Sequence, residues 1–129
     1  MNKKLFCLFI CIICLGMVGC SKINSRKMSN DVKSNEIVLK TNGGVPYNWE
    51  YEIGDTAILI FDNLNSIELD KNAAGGRVEQ HYTFRGLKPG NTTIKFVYRN
   101  FVDKRVDSTK EYDVTVDDDL NVVIKEKSE

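Results

Sequence analysis

Residues 88–99 read KPGNTTIKFVYR and carry the clearest structural signal in the chain. The Lys-Pro-Gly-Asn segment is a strong turn signal, because proline fixes its own φ and glycine and asparagine suit turn positions. After it, Ile94, Phe96 and Tyr98 alternate with residues of the opposite face. Successive side chains of a β-strand point to opposite faces, so this stretch predicts a tight turn followed by a half-buried strand.

The same two-residue period recurs on both sides of this stretch. Further strands are predicted at residues 36–40, 56–61, 66–70, 77–87, 110–116 and 121–125. Residues 56–61 (TAILIF) are apolar on both faces, as expected for a central strand in a two-layer structure. No window has the amphipathic period of a useful helix. Roughly seven or eight short strands with frequent turns predict an all-β sandwich over residues 36–129.

The first 19 residues predict an export signal. Lys3 and Lys4 form a positive segment, residues 5–15 are apolar and uncharged, and small residues then lead to Cys20. The apolar run is shorter than the ~20 residues needed to span a bilayer. The segment resembles the lipobox of bacterial lipoproteins. We therefore expect residues 1–19 to be removed, Cys20 to carry lipid, and residues 20–35 to form a flexible tether on the cell envelope, facing periplasm or exterior.

Removal of the signal peptide also changes the number of available cysteines and the net charge of the mature protein. Cys7, Cys11 and Cys14 leave with it and Cys20 is lipidated, so no cysteine remains for a disulfide, a nucleophile or a metal site. The signal also takes two of the 18 basic residues, leaving 16 against 18 acidic ones. A nucleic-acid-binding domain would show a basic excess, so we expect no nucleic-acid partner.

Residues 41–51 read TNGGVPYNWEY and place a glycine pair, a proline and three aromatic residues close together. The glycine pair permits positive φ and lets another surface approach the backbone. Tyr47 and Trp49 are two residues apart, so they share a face on an extended chain. Two interpretations remain open: an ordinary turn whose aromatic residues belong to the core, or a slim binding loop with an apolar tip.

Two further segments have features of binding loops. Residues 71–76 (KNAAGG) are a run of small residues between two predicted strands, where the backbone is open to a partner. Arg99, Asn100 and Phe101 end the clearest strand and place a cation beside an exposed aromatic residue. Arginine and aromatic residues are favoured at binding hot spots.

The residues needed for catalysis are missing from the sequence. His81 is the only histidine, and its position on a predicted strand indicates a solvent-facing side chain. The carboxylates of residues 117–119 lack the spacing and the glycine of a calcium-binding EF-hand loop, which favours an acidic turn. We expect no catalytic residue, no cofactor, no bound metal and a monomeric, non-enzymatic protein.

The first of these loops carries a family resemblance. Residues 42–49 read NGGVPYNW, which resembles the pattern N-P-T-T-G-Y-x-W of the chagasin family and matches it without a gap at Asn42, Tyr47 and Trp49. The family consists of inhibitors of papain-like cysteine peptidases built on an immunoglobulin-like sandwich.

The other two family patterns follow in order. G-x-G-G falls on residues 73–76 and matches at Gly75 and Gly76, and R-P-W or R-P-F falls on residues 99–101 and matches at Arg99 and Phe101. The resemblance covers about residues 36–117. It implies reversible, non-covalent inhibition in which three loops at one end of an immunoglobulin-like sandwich occupy the cleft of the peptidase. The residues implied to bind the target are Asn42, Gly43, Gly44, Val45, Pro46, Tyr47, Trp49, Ala74, Gly75, Gly76, Arg99, Asn100 and Phe101.

The chain departs from the family patterns at the loop tips. Two threonines become Gly44 and Val45, and prolines become Gly43 and Asn100. These changes predict looser loops, and hence weaker binding to generic papain-like enzymes or a preference for a particular target. The alternative function is a surface-anchored binding module for a glycan or protein. Inhibition requires all three loops at the same end of the sandwich, whereas a plain binding module does not.

Overall fold

The fold was analysed in a computed structural model that describes residues 35–128. The predicted signal peptide, the lipidated Cys20 and the tether up to residue 34 lie outside the described residues. Among the described residues, no helix has the length and apolar character needed to cross a bilayer.

The described chain is all-β, as predicted, and contains seven strands. They are β1 (Glu36–Asn42), β2 (Tyr47–Ile53), β3 (Leu59–Glu68), β4 (Arg77–Gly86), β5 (Gly90–Asn100), β6 (Val106–Val116) and β7 (Val122–Glu126).

The strands form two antiparallel sheets that pack as an immunoglobulin-like sandwich. One sheet has the order β1-β4-β3 and the other the order β2-β5-β6-β7. The core lies between them and contains Ile94 and Phe96, as the two-residue period predicted, whereas Tyr98 on the same face of β5 is only partly buried. Its most deeply buried side chains are Leu59, Phe84, Ile94, Phe96 and Val114. All seven strands and this core lie within the described residues 35–128.

The predictions for β3 were wrong in one respect. Residues 56–61 and 66–70 were predicted as two strands, but residues 59–68 form one strand. A turn that begins at Asp55 precedes β3, because the Asp55 carboxylate accepts the N–H of Ala57 at 2.9 Å and its carbonyl accepts the N–H of Ile58 at 3.2 Å. A β-bulge at Asp62 then shifts the pairing with β4. A bulge interrupts the alternation of faces, which is why one strand had the pattern of two.

A smaller departure concerns the start of β6. β6 begins at Val106, four residues before the predicted start at Lys110. The acidic segment 117–119 is the predicted turn, between β6 and β7, and the Asp117 carboxylate accepts the backbone N–H groups of Asp119 and Asn121 at 3.0 and 2.8 Å.

Candidate functional site

The three loops singled out from the sequence lie at the same end of the sandwich. Loop 1 (residues 43–46) joins β1 to β2, loop 2 (residues 69–76) joins β3 to β4, and loop 3 (residues 101–105) joins β5 to β6. The strand pairing brings them together, because Asn42 pairs with Arg77 in one sheet and Tyr47 pairs with Asn100 in the other.

Loops 1 and 2 are in contact through their backbones. The N–H of Gly43 donates to the carbonyl of Gly76 at 3.0 Å. Gly75 has φ +74°, and a Cβ there would lie 2.8 Å from the Cα of Gly44. Glycine is therefore required at residue 75 both by its conformation and by the closeness of loop 1.

The role expected for the glycine pair of loop 1 needs a correction. Among the described residues, the glycines with positive φ are Gly75 and Gly90, so neither Gly43 nor Gly44 uses that freedom. A Cβ at Gly43 would meet its nearest atom at 3.6 Å, an ordinary contact. A Cβ at Gly44 would meet its nearest atoms at 3.4 Å, so the glycine that the close approach of the two loops requires is Gly75.

Loop 2 is closed by an ion pair at its base. The Arg77 guanidinium donates two hydrogen bonds of 3.0 Å to the Asp70 carboxylate, which also accepts the backbone N–H of Arg77 at 2.9 Å. These bonds stabilise the charged carboxylate and lower the pKa of Asp70 to about 2. The clamp fixes the two ends of the loop that contains Ala74 and Gly75.

Loop 3 is held by the two residues that precede its tip. Asn100 is only 6% exposed, and its side-chain oxygen accepts the N–H groups of Val102 and Asp103 at 2.8 and 3.2 Å. The Arg99 guanidinium donates to the Glu50 carboxylate at 3.0 Å and to the carbonyl of Lys104 at 3.1 Å. The replacement of the family proline by Asn100 therefore adds hydrogen bonds to this loop.

Loop 3 is also bonded to loop 1. The N–H of Phe101 donates to the carbonyl of Pro46 at 2.9 Å, and the Arg105 guanidinium donates to the hydroxyl of Tyr47 at 2.9 Å. Loop 1 thus lies between the other two and has a backbone hydrogen bond to each.

A group of aromatic rings packs beneath loop 1. The ring of Tyr98 lies 5.2 Å from that of Tyr47 and 4.8 Å from that of Trp49. The indole N–H of Trp49 donates to the carbonyl of Lys40 at 3.0 Å, and the hydroxyls of Tyr98 and Thr41 share a hydrogen bond of 2.9 Å. These rings link the two sheets directly under the loop, so Tyr47 and Trp49 support loop 1 from within.

The tips of the three loops expose apolar side chains and backbone atoms. Val45 is 39% exposed, Phe101 52% and Val102 73%. Loop 2 contributes the small exposed residues Ala74 and Gly75. The structure therefore brings all the sequence-predicted loop residues to one end of the domain, with Arg99 and Asn100 directed into it. The sequence did not indicate three features of this site. They are the exposed side chain of Val102, the hydrogen bond from Arg105 to the hydroxyl of Tyr47, and the ion pair between Asp70 and Arg77.

His81 lies far from these loops along β4 and is more covered than predicted. Its side chain is on the outer face of the sheet but only 20% exposed, with Nδ1 2.7 Å from a Glu36 carboxylate oxygen and Nε2 3.6 Å from one of Glu79. Within residues 35–128, no group of three or more histidine, cysteine or carboxylate residues is placed to hold a metal ion.

An immunoglobulin-like sandwich with three connected loops at one end defines a scaffold whose loops present a single surface. The sequence matches the chagasin family peptidase inhibitor I42 over residues 32–116. This match covers more than half of the chain, and the chain belongs to the chagasin family of peptidase inhibitors. The family predicted from the sequence is thereby confirmed.

The fold is also similar to a solved structure. The crystal structure of the cysteine protease inhibitor EhICP2 from Entamoeba histolytica aligns with a TM-score of 0.56 and 23% sequence identity, covering 64% of this chain and 77% of that chain. At this identity the similarity shows a common fold. No match was found among curated protein sequences.

Family membership also answers the question of catalysis. Members of the family are inhibitors of peptidases and not enzymes, which confirms the prediction of a non-enzymatic protein.

Proposed function

We propose that this protein inhibits papain-like cysteine peptidases reversibly and without a covalent bond, by placing its three loops in and around the catalytic cleft. The observation that carries the proposal is the backbone contact of loop 1 with both of its neighbours, through Gly43–Gly76 and Pro46–Phe101. Together the loops form one edge with loop 1 at its centre.

The shape of loop 1 suits a narrow cleft. Its residues are two glycines, a valine and a proline, so it is slim and presents backbone to a partner. Hydrogen bonds and aromatic packing hold it before any partner arrives. A preorganised loop loses less conformational entropy on binding, so more of the contact energy is available for affinity.

The proposal is tested by titrating residues 22–129 into papain and into a cathepsin L-type peptidase with a fluorogenic substrate. Competitive inhibition, fully reversed on dilution and with an inhibition constant below about 1 μM, is expected for a rigid loop edge of this kind. Inhibition that persists after dilution would contradict a non-covalent mechanism. If the protein does not inhibit either peptidase at tens of micromolar, the result would favour the alternative function, a binding module without inhibitory activity.

We also propose that the protein acts at the bacterial cell envelope, attached by lipid on Cys20 and facing the periplasm or exterior. The support is the sequence of residues 1–20, with its positive start, its short apolar run and its cysteine after small residues. Replacing Cys20 with serine should abolish incorporation of labelled fatty acid and release the protein from the membrane fraction. Unchanged labelling would contradict the proposal.

A further inference from the structure

The most exposed large apolar side chain among the described residues lies at the tip of loop 3. Val102 is 73% exposed, and Phe101 beside it is 52% exposed. The Phe101 N–H bonds to the carbonyl of Pro46 at 2.9 Å, which places this pair next to the exposed Val45 of loop 1. Val45, Phe101 and Val102 are the exposed large apolar side chains of these two bonded loops, and we call this group the apolar ridge of the proposed inhibitory edge.

The basic residues around this ridge direct their charged groups back onto the domain. Arg99 donates to Glu50 and to the carbonyl of Lys104, at 3.0 and 3.1 Å. Lys104 donates to the carbonyl of Phe101 at 3.1 Å, and Arg105 donates to the hydroxyl of Tyr47 at 2.9 Å. Each of these cations therefore has a hydrogen bond within the domain, while the side chains of Asp103 and Arg105 stay 52% and 69% exposed beside the apolar pair.

We propose that Val102, together with Phe101, is the anchor of loop 3, and that Arg99 positions the loop without contacting the target. The proposal deepens the proposed function and rests on it. It assigns a partner of defined chemistry: a papain-like peptidase whose cleft rim is apolar where it faces loop 3. A carboxylate buried directly against Val102 and Phe101 would lose its hydration there at a high cost.

The experiment compares variants of residues 22–129 against whichever of papain and the cathepsin L-type peptidase the wild type inhibits more tightly. Val102→Ser is expected to raise the inhibition constant roughly 5- to 50-fold, as for truncation of an interface hot spot. Val102→Ile keeps the apolar contact and should stay within about threefold of the wild type. Leu87→Ser is the matched control, because Leu87 is 43% exposed and lies at the opposite end of the sandwich.

A second measurement separates contact from positioning. Val102 is exposed and joins the fold through its backbone N–H, so Val102→Ser should leave hydrogen exchange of residues 101–105 unchanged. Arg99→Ala removes the two bonds that hold the loop and should speed exchange there as it weakens inhibition. The loss caused by Val102→Ser should be the same factor at about 50 and about 500 mM salt, because apolar contacts are not screened.

The outcomes distinguish this inference from the proposed function. If the wild type inhibits and Val102→Ser inhibits equally well, Val102 is not an anchor and the inference is wrong, while the proposed function stands. If Arg99→Ala weakens inhibition with no change in loop exchange, Arg99 contacts the target and its positioning role is wrong. If the wild type inhibits neither peptidase, the proposed function itself fails and the inference fails with it.

Discussion

Gly75 and Gly44 meet backbone to backbone where loop 2 touches loop 1. A Cβ on Gly75 would lie 2.8 Å from the Gly44 Cα and 3.0 Å from its nitrogen, and the residue has φ +74°. We predict that Gly75→Ala lowers the free energy of unfolding by about 1–3 kcal/mol, the usual cost of backbone strain. It should also raise the inhibition constant about tenfold or more, because a misplacement of about 1 Å is costly in a tight site.

Gly43→Ala is the control for this prediction, because a Cβ at residue 43 would make only ordinary contacts of 3.6 Å or more. Its stability, measured by urea unfolding, should stay within about 1 kcal/mol of the wild type. Equal losses for Gly43→Ala and Gly75→Ala would show that the loss does not come from the contact between the loops.

The Asp70 carboxylate makes the closure of loop 2 depend on acidity. Its pKa falls from the ordinary value of 3.8 to about 2, chiefly through the side-chain hydrogen bonds from Arg77. A carboxylate with a lowered pKa contributes stability above its unfolded-state value, and this contribution is lost as the pH falls through the folded value. We predict that the Nε–H resonance of Arg77, followed by NMR, shifts with a midpoint near pH 2. A midpoint near pH 4, or the same shift in Asp70→Asn, would contradict this prediction.

The side chains that face the core could be predicted from the sequence. The hydrogen-bond partners of the polar side chains could not. The two-residue period placed Ile94 and Phe96 in the core, and both are fully buried. It gave no sign that Arg99 bonds to Glu50, because these residues are 49 positions apart and meet only through the pairing of β2 with β5. Their distance along the chain explains why Arg99 was expected to be available to a partner.

The two prolines that the family patterns contain would remove hydrogen bonds from this chain. The N–H of Gly43 donates to Gly76, and that of Asn100 donates to the carbonyl of Arg105 at 2.8 Å. Proline has no N–H. We predict that Gly43→Pro and Asn100→Pro each lower the free energy of unfolding by at least about 0.5–1.5 kcal/mol, with no gain in inhibition.

Asn100→Pro should cost more than Gly43→Pro, since it also deletes the side-chain oxygen that accepts two N–H groups in loop 3. The measurement is urea unfolding together with the inhibition constant against papain. Tighter inhibition by either proline variant would support the sequence-based expectation that the missing prolines loosen the loops.

The strands could be predicted from alternation wherever each face kept a constant environment. β1 and β5 satisfy this condition, and both were found near their predicted positions. The environment changes along β3, where the bulge at Asp62 divides a core-facing start from an exposed remainder. Since bulges have no distinct sequence signal here, one strand was predicted as two.

The arrangement of the whole domain could be predicted only in part. Alternation indicates a sandwich, but it does not say which connections share an end. The loop patterns of the family supplied that expectation, and the strand pairing places loops 1, 2 and 3 together. The contacts among these loops depend on how the two sheets are placed against each other, so they could be read only from the structure.

The direction of β1 decides how an anchored molecule would present its loops. β1 runs from Glu36 to Asn42 and ends at loop 1, so Asn35 lies at the opposite end of the sandwich. β7 runs the same way, because it is antiparallel to β6, which starts at loop 3. An attachment through the N-terminus therefore points the loops away from a membrane, whereas a short attachment after β7 leaves from nearer the loop end.

We predict that the protein anchored in vesicles by lipid on Cys20 inhibits an added papain-like peptidase within about threefold of soluble residues 22–129, because residues 21–35 can extend to about 50 Å. The same domain held on nickel-chelating vesicles by a short tag after Glu129 should inhibit at least about tenfold less well, since the bilayer then obstructs the loop end. The measurement compares the inhibition constants of the two attached forms in a fluorogenic assay in vesicle suspension. Equal inhibition from both attachments would show that orientation has no influence. Weaker inhibition from the N-terminal attachment would place the peptidase contact at the wrong end of the domain and contradict the three-loop edge.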